Sequence, residues 1–215
     1  MPYSAPPFFE PPTVSLDISR PARDMIAAGQ LFHQRGWVPA TGGNFSARLS
    51  SDRMLITASG WHKGELDDSA FLIADLDGIP EDRSRKASYE TLLHCQVYRF
   101  DESVGSVLHT HSVANTLLSR RYESIRLAGY ELLKLLPGIT THDAAVEIPV
   151  FENDQDIQRL ASRVNAHMKK VSAPAYLIAG HGLYAWGSTV AQARHRVEAL
   201  EFMFECELRE LENKR

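Results

Sequence analysis

The sequence is short of the features that would place it in a class at once. Only two of its 215 residues are cysteine, Cys95 and Cys206. That is too few for a disulfide framework, and both read as small apolar groups inside helix-like sequence. No apolar run approaches the ~20 residues that span a bilayer. The N-terminus also lacks the basic, apolar and small-residue succession of a secretory signal, so a cytoplasmic protein is expected, with no membrane partner. A basic surplus is missing too: 23 Lys and Arg stand against 27 Asp and Glu, a formal net charge of −4. Nucleic acid is therefore not an expected partner, because neutralising phosphates takes a clustered basic face. There is neither an internal repeat nor an internal linker.

Five of the eleven prolines fall within the first twelve residues. Residues 1–16 are accordingly expected as an extended arm, and residues 17–215 as a single domain. From Asp17 to Arg35 apolar residues recur at helical spacing and stop at Gly36. Strands are expected at Phe45–Leu49, Met54–Thr57 and Phe71–Leu76, the last closed by an Asp77-Gly78 turn. A helix over Ser88–Phe100, a β-rich run Val104–His109 and a short helix Ser112–Arg120 follow. Then come a strand at Val146–Phe151, a helix capped by Asp154 and running to about Lys170, and a strand at Ala175–Ala179. The chain closes on a long helix from near Ser188, with Thr189 and Gln192 at capping-box spacing. Interleaved strands and helices without a repeat predict one α/β domain, with helices packed on a central sheet.

The sharpest chemical signal is His109-Thr110-His111 at the end of an apolar run. Side chains alternate along a strand, so both imidazoles project from one face and can bind a single cation at ~2.0–2.1 Å each. His181 follows another apolar strand and stands between Gly180 and Gly182, which permit a sharp turn and close approach. Three neutral histidines leave a position open on zinc, the pattern of a catalytic site. Two histidines spaced by one residue are weak evidence by themselves in a chain with nine; the setting of His181 adds weight. His33, His62, His94, His142, His167 and His195 lack such a setting. They read as surface or hydrogen-bonded core residues, with His142 beside Asp143 a partial exception.

Oxyanion-binding loops are also present. Thr41-Gly42-Gly43-Asn44 precedes a strand and Ala58-Ser59-Gly60 follows one; such turns expose backbone N–H groups, and Asn44 and Ser59 add donors. Lys63 supplies a cation, and Ser88 stands where a helix begins and its dipole is positive. Each alone is more often a turn or a helix cap.

Taken in order, Gly42-Gly43-Asn44-Phe45-Ser46, Ile56-Thr57-Ala58-Ser59-Gly60, Glu90, the His109/His111 pair and Gly180-His181-Gly182-Leu183-Tyr184 resemble the class II aldolase/adducin family, over roughly residues 17 to 210. Within it, His109 to Ser112, Glu131 with Lys134, and His181 to Gly187 look closest to the family's ketose-phosphate dehydratases. The resemblance implies a three-layer α/β/α sandwich on a mixed, largely antiparallel sheet. It further implies one zinc ion per chain on His109, His111 and His181, a small phosphorylated ketose as substrate, and a homotetramer with active sites between subunits. It leaves two acid/base candidates: Glu90, where the family's aldolases place theirs, and Glu131, where its dehydratases do. Lys134, Gly43, Asn44, Ser59, Gly60, Lys63 and Ser88 would hold substrate and phosphate. A retro-aldol enzyme or epimerase is the closest rival. A non-catalytic adducin-like domain is a weaker one, because such relatives lack the full histidine triplet.

Overall fold

The computed structural model describes residues 17–171 and 173–214; the arm expected over residues 1–16 lies outside the described residues. Among the described residues eight strands form one sheet: β1 (Asn44–Arg48), β2 (Arg53–Thr57), β3 (Phe71–Asp75), β4 (Ser106–Thr110), β5 (Ser124–Ala128), β6 (Ala145–Phe151), β7 (Ala175–Ile178) and β8 (Gly182–Gly187). Their order is β3-β2-β1-β4-β8-β7-β6-β5. Only β6 and β7 run parallel; the other neighbouring pairs are antiparallel. The helices are α1 (Ser19–Gln34), α2 (Thr91–Phe100), α3 (Val113–Ser119), α4 (Ile157–Met168) and α5 (Val190–Asn213).

Strand alternation sorts the interior into two cores, which makes the three layers. On one face Phe45, Leu55, Leu108, Leu177 and Leu183 pack with Met25 and Phe32 of α1 and Val197, Leu200 and Phe204 of α5. On the other, Ile56, Val107, Tyr176, Tyr184 and Trp186 pack with Leu93 and Tyr98 of α2 and Leu160 and Val164 of α4. The predicted sandwich on a mixed, largely antiparallel sheet is the observed fold.

Local differences have identifiable causes. Helix α4 is capped by Asp156, whose carboxylate accepts from Arg159 N; Asp154 is too far upstream to reach that amide and pairs with Arg159 and Arg163 instead. Helix α2 begins at Thr91, because Ser88 closes a turn in which its carbonyl accepts from Thr91 N and Oγ1. At α5 the reciprocity is displaced by one residue: Thr189 Oγ1 accepts from Gln192 N, while Gln192 Oε1 accepts from Ser188 N. Strands β5 and β8 were not expected. In β5 buried Ile125 and Leu127 alternate with exposed Ser124 and Arg126, a short but regular two-residue period.

Where β4, β8 and the β7–β8 turn converge the backbones approach closely. A Cβ on Gly182 would lie 2.1 Å from Thr110 O and 2.7 Å from the His109 ring. Gly182→Ala is therefore expected to lose about 1–3 kcal/mol of stability, the range for overpacking that forces the backbone to shift. Denaturant unfolding checks this; an unchanged midpoint would refute the close-approach argument.

Candidate metal centre

Strand β4 is buried along its length. Its register sets Asn44 of β1 and Tyr184 of β8 on either side of His109, and cross-strand partners share a face. That face lies under α2 and α4. The His109 ring stacks on Tyr184, with centroids 3.9 Å apart, and Tyr184 stacks on Tyr176 at 4.9 Å. His109 Nδ1 donates to Leu183 O at 2.8 Å, so its Nε2 carries a lone pair. His111, just beyond β4, turns back to bring its Nε2 within 2.7 Å of that atom, and His181 Nε2 lies 3.4 Å from it. Glu90, the residue before α2, completes the group: its carboxylate is 2.7 Å from His181 Nε2 and 3.5 Å from His109 Nε2.

One donor atom from each of Glu90, His109, His111 and His181 lies within 4.8 Å of all the others. The group fits a divalent cation on its donor chemistry. A fixed lone pair on His109 faces two further imidazole nitrogens and a carboxylate, and one cation satisfies them all. Burial, with the neighbouring His181 next in weight, pushes His111 down to about 4. Burial likewise holds His109 well below its ordinary 6.5. Both are thus neutral and ready to coordinate at physiological pH. Burial would raise the Glu90 carboxyl, but His109, His181 and Asn44 outweigh it and keep it well below the usual range.

The next residue along β4 points the other way. Thr110 Oγ1 donates to Glu201 Oε1 of α5 at 2.5 Å, Ser112 Oγ to Oε2 at 2.5 Å, and Asn115 Nδ2 to Oε1 at 2.9 Å. A fully buried carboxylate therefore grips the chain on both sides of His111. Burial raises it to about 7 despite these three donors. The sequence singled out neither Glu201 nor His94, which is fully buried and hydrogen-bonds Ser46 and Asn44. Their partners come from other elements, so no local pattern announces them.

The structure distributes the remaining candidates unevenly. Asn44 Nδ2 donates to Glu90 Oε2 at 2.5 Å and to Ser88 Oγ at 3.0 Å, beside the histidines. Gly43 adopts φ +77°, and a Cβ there would lie 2.5 Å from His109 O. Ser59 and Gly60 are exposed; a bridge between Ala58 and Ala87 and the bond from Ser59 N to Lys86 O bring their loop alongside residues 86–88. Lys63 is buried, and its ammonium donates to Thr41 O at 2.8 Å and Trp61 O at 2.6 Å, tying two loops. Burial lowers it to about 8, with Glu90 opposing. Glu131 and Lys134 are exposed on a 3₁₀ turn after β5, paired at 2.5 Å. Within one chain Glu131 is not part of the metal group.

Fold and histidine cluster together define a class. The sequence matches the Class II Aldolase and Adducin N-terminal domain family over residues 23–208, and the chain belongs to that family. Its relatives narrow this further. The methylthioribulose-1-phosphate dehydratase of Pseudomonas aeruginosa (strain LESB58) is 50% identical over 192 residues, 88% of this chain and 94% of that protein. The enzyme of the same name from Gluconobacter oxydans (strain 621H) is 50% identical over 89% of this chain and 93% of its own length. Among solved structures, the L-fuculose-1-phosphate aldolase from Thermus thermophilus aligns with a TM-score of 0.75 over 92% of this chain and 98% of that one. At 24% identity, that likeness speaks to the fold.

The folded pKa of Glu201, about 7, lies above its ordinary 4.5. Folding therefore favours its protonated form. The stability it contributes is present below about pH 4.5 and is lost as pH rises through about 7. Relative to Glu201→Gln, the wild-type protein is expected to lose up to about 3 kcal/mol across that window. Denaturant unfolding of chelator-treated protein at several pH values checks this; a pH-independent difference would refute it.

Proposed function

We propose that the chain dehydrates 5-methylthioribulose 1-phosphate to 2,3-diketo-5-methylthiopentyl 1-phosphate, a step of methionine salvage in the cytoplasm, with one zinc ion per chain on His109, His111 and His181. The observation that carries this reading is the convergence of three imidazole nitrogens and Glu90 at the end of β4, in a chain half identical to the dehydratases named above. Bound there, the ion would supply Lewis acidity to the ketose and so acidify the C3 proton.

The protein's own groups do the rest. The C3–H bond breaks, C3=C4 forms, the C4 hydroxyl leaves as water, and the enol tautomerises to the diketone. Glu90, kept ionised, stands beside the cluster to receive the C3 proton. The Gly43, Ser59, Gly60 and Ser88 loops hold the phosphate end, with Asn44 aligning Ser88, and Lys63 braces the loops from behind. Phosphate binding remote from the reacting carbons contributes orientation.

Hydroxide is a poor leaving group and needs a proton donor, the role proposed for Glu131. In a single chain Glu131 is fully exposed, and its hydrogen bond to Lys134 lowers it, which makes it a poor acid at neutral pH. Burial against another protomer would reverse that. Apolar side chains beside it support such an assembly: Leu135 is 44% exposed and Phe202 of α5 52% exposed. The proposal is a homotetramer in which Glu131 and Lys134 complete the site of a neighbouring subunit. An aldolase or epimerase would share the metal and enediolate but would need no proton for a departing hydroxide, and the dehydratase relatives weigh against it.

Three variants test the arrangement together. Glu131→Gln is expected to lower kcat by ~10²–10⁴-fold with zinc retained, the usual contribution of a positioned acid. Glu90→Gln should lose less, because acidification of C3 persists. His111→Ala should lose zinc by elemental analysis, and activity with it. Co-expression of Glu131→Gln with His111→Ala should restore activity at about a quarter of the sites, those pairing an intact histidine set with a neighbour's intact Glu131. No recovery in mixed oligomers verified by native mass spectrometry would overturn the shared site. Wild-type protein inert on methylthioribulose 1-phosphate would overturn the activity.

A further inference from the structure

A chain of buried hydrogen bonds runs from α2 into the metal group, and its direction is determined at every link. The carboxylate of Glu90 only accepts, so the amide nitrogen of Asn44, at 2.5 Å, must be the end turned toward it; the same nitrogen donates to Ser88 Oγ. Asn44 Oδ1 then faces back to α2, where it meets His94 Nε2. A carbonyl oxygen cannot donate, so His94 carries its proton on Nε2 and presents a lone pair on Nδ1. Ser46 Oγ lies 2.7 Å from that lone pair and donates into it. Tyr98 OH, 2.7 Å from Ser46 Oγ, is left to donate to the serine. Tyr98, Ser46, His94 and Asn44 are all buried. Water therefore offers no alternative partner, and each atom is left one role. Burial pushes His94 down to about 3, so this polarity holds across the working pH range. The His94 ring also meets Tyr184 edge-on, centroids 5.8 Å apart, and Tyr184 is the ring on which His109 stacks.

We infer that His94 is a positioning residue of the metal centre: it locks the Asn44 side-chain amide so that its N–H groups are aimed at Glu90 and Ser88. With the amide reversed, its oxygen would face the Glu90 carboxylate, and the carboxylate would swing away from His109 and His181. A histidine that merely fills the core would not care about polarity, since leucine has similar bulk. The inference rests on the metal-dependent reading of the site above and goes beyond it in assigning His94.

The test uses His94→Leu, which keeps bulk without polarity, and His94→Gln, whose amide can donate to Asn44 and accept from Ser46. Each is loaded with Co²⁺, whose visible d–d spectrum reports the geometry of its ligands, and each is assayed as the zinc form. His94→Leu is expected to fold and bind one metal, with a shifted Co²⁺ spectrum and kcat about tenfold lower, the loss of one well-made buried hydrogen bond. KM should stay within about twofold. His94→Gln should restore spectrum and kcat toward wild type. Asn44→Ala should reproduce the defect, and adding His94→Leu to it should make matters no worse, as expected when one residue acts through the other. Wild-type spectrum and kcat in His94→Leu, or equal loss in His94→Gln and His94→Leu, would overturn the inference. Should His94→Leu not fold, an unchanged spectrum in Asn44→Ala would overturn it. The spectral arm needs no turnover, so a wild-type protein that binds Co²⁺ but dehydrates nothing would refute the proposed activity separately.

Discussion

A strand buried on both faces can carry polar side chains only if every one of them is paired, and β4 lies under that constraint at the centre of the sheet. Ser106 donates to Ser46 O, His109 to Leu183 O, and Thr110 to Glu201. These bonds tie β4 to β1 and β8 at its edges and to α5 on one face. On the other face His109 leaves one nitrogen free, and there Glu90, Asn44 and His94 gather. The site is thus where the pairing requirement is met by the fold everywhere except at one lone pair, to which His111 and His181 add two more imidazoles. The apolar cores supply the driving force for folding. The polar seam of β4 fixes which side chains meet.

Two buried carboxylates flank this seam, and their surroundings push them in opposite directions. Glu90 faces imidazoles and an amide N–H and is held ionised. Glu201 faces hydroxyls and an amide, with no ion-pair partner among the described residues, and is pushed up to about 7 by burial. Chemically alike groups are thereby given different work. In the proposed reaction the first would serve as base or ligand beside the histidines. The second is a clamp whose worth lies in fixing the path of residues 110–112, and its burial is a cost that the apolar packing of α5 offsets.

Much of this was legible in the sequence, and the limits of legibility are physical. The His109/His111 pair, the glycine-flanked His181 and the Asn44 turn are local, because strand alternation and glycine conformational freedom write themselves into neighbouring residues. The layered α/β class followed from periodicity, and the sheet's mixed, largely antiparallel character from the motif resemblance. Strand β8 was hidden because it starts at the turn that carries His181, and β5 because its apolar set is only Ile125 and Leu127. His94 read as an ordinary core histidine. What distinguishes it is contact with Asn44 and Ser46, 50 and 48 residues away, which no window can display. Glu201, 91 residues from Thr110, was invisible for the same reason, lying in a helix already rich in glutamate.

The electrostatics of a single chain also explain why the proposed reaction requires more than one. Expelling hydroxide takes a group that is protonated at neutral pH and can give that proton up. At the cluster, Glu90 is ionised and serves better as a base. The Tyr184 hydroxyl is buried with no hydrogen-bond partner among the described residues and pushed well above its ordinary 10 by burial and by Glu90, so it yields a proton too reluctantly. Glu201 has a suitable affinity for a proton but reaches from α5 to the face of β4 opposite the cluster and is held there by three donors. The described residues of one protomer therefore provide a metal set and a base at the centre, with no matched acid beside them. An exposed carboxylate such as Glu131 becomes that acid only when another surface strips its water. A fold whose site opens at the end of β4, with apolar Leu135 and Phe202 left uncovered, offers a way to do so. Under the proposed reaction, the acid–base demands of the chemistry and the burial of apolar surface would favour the same assembly.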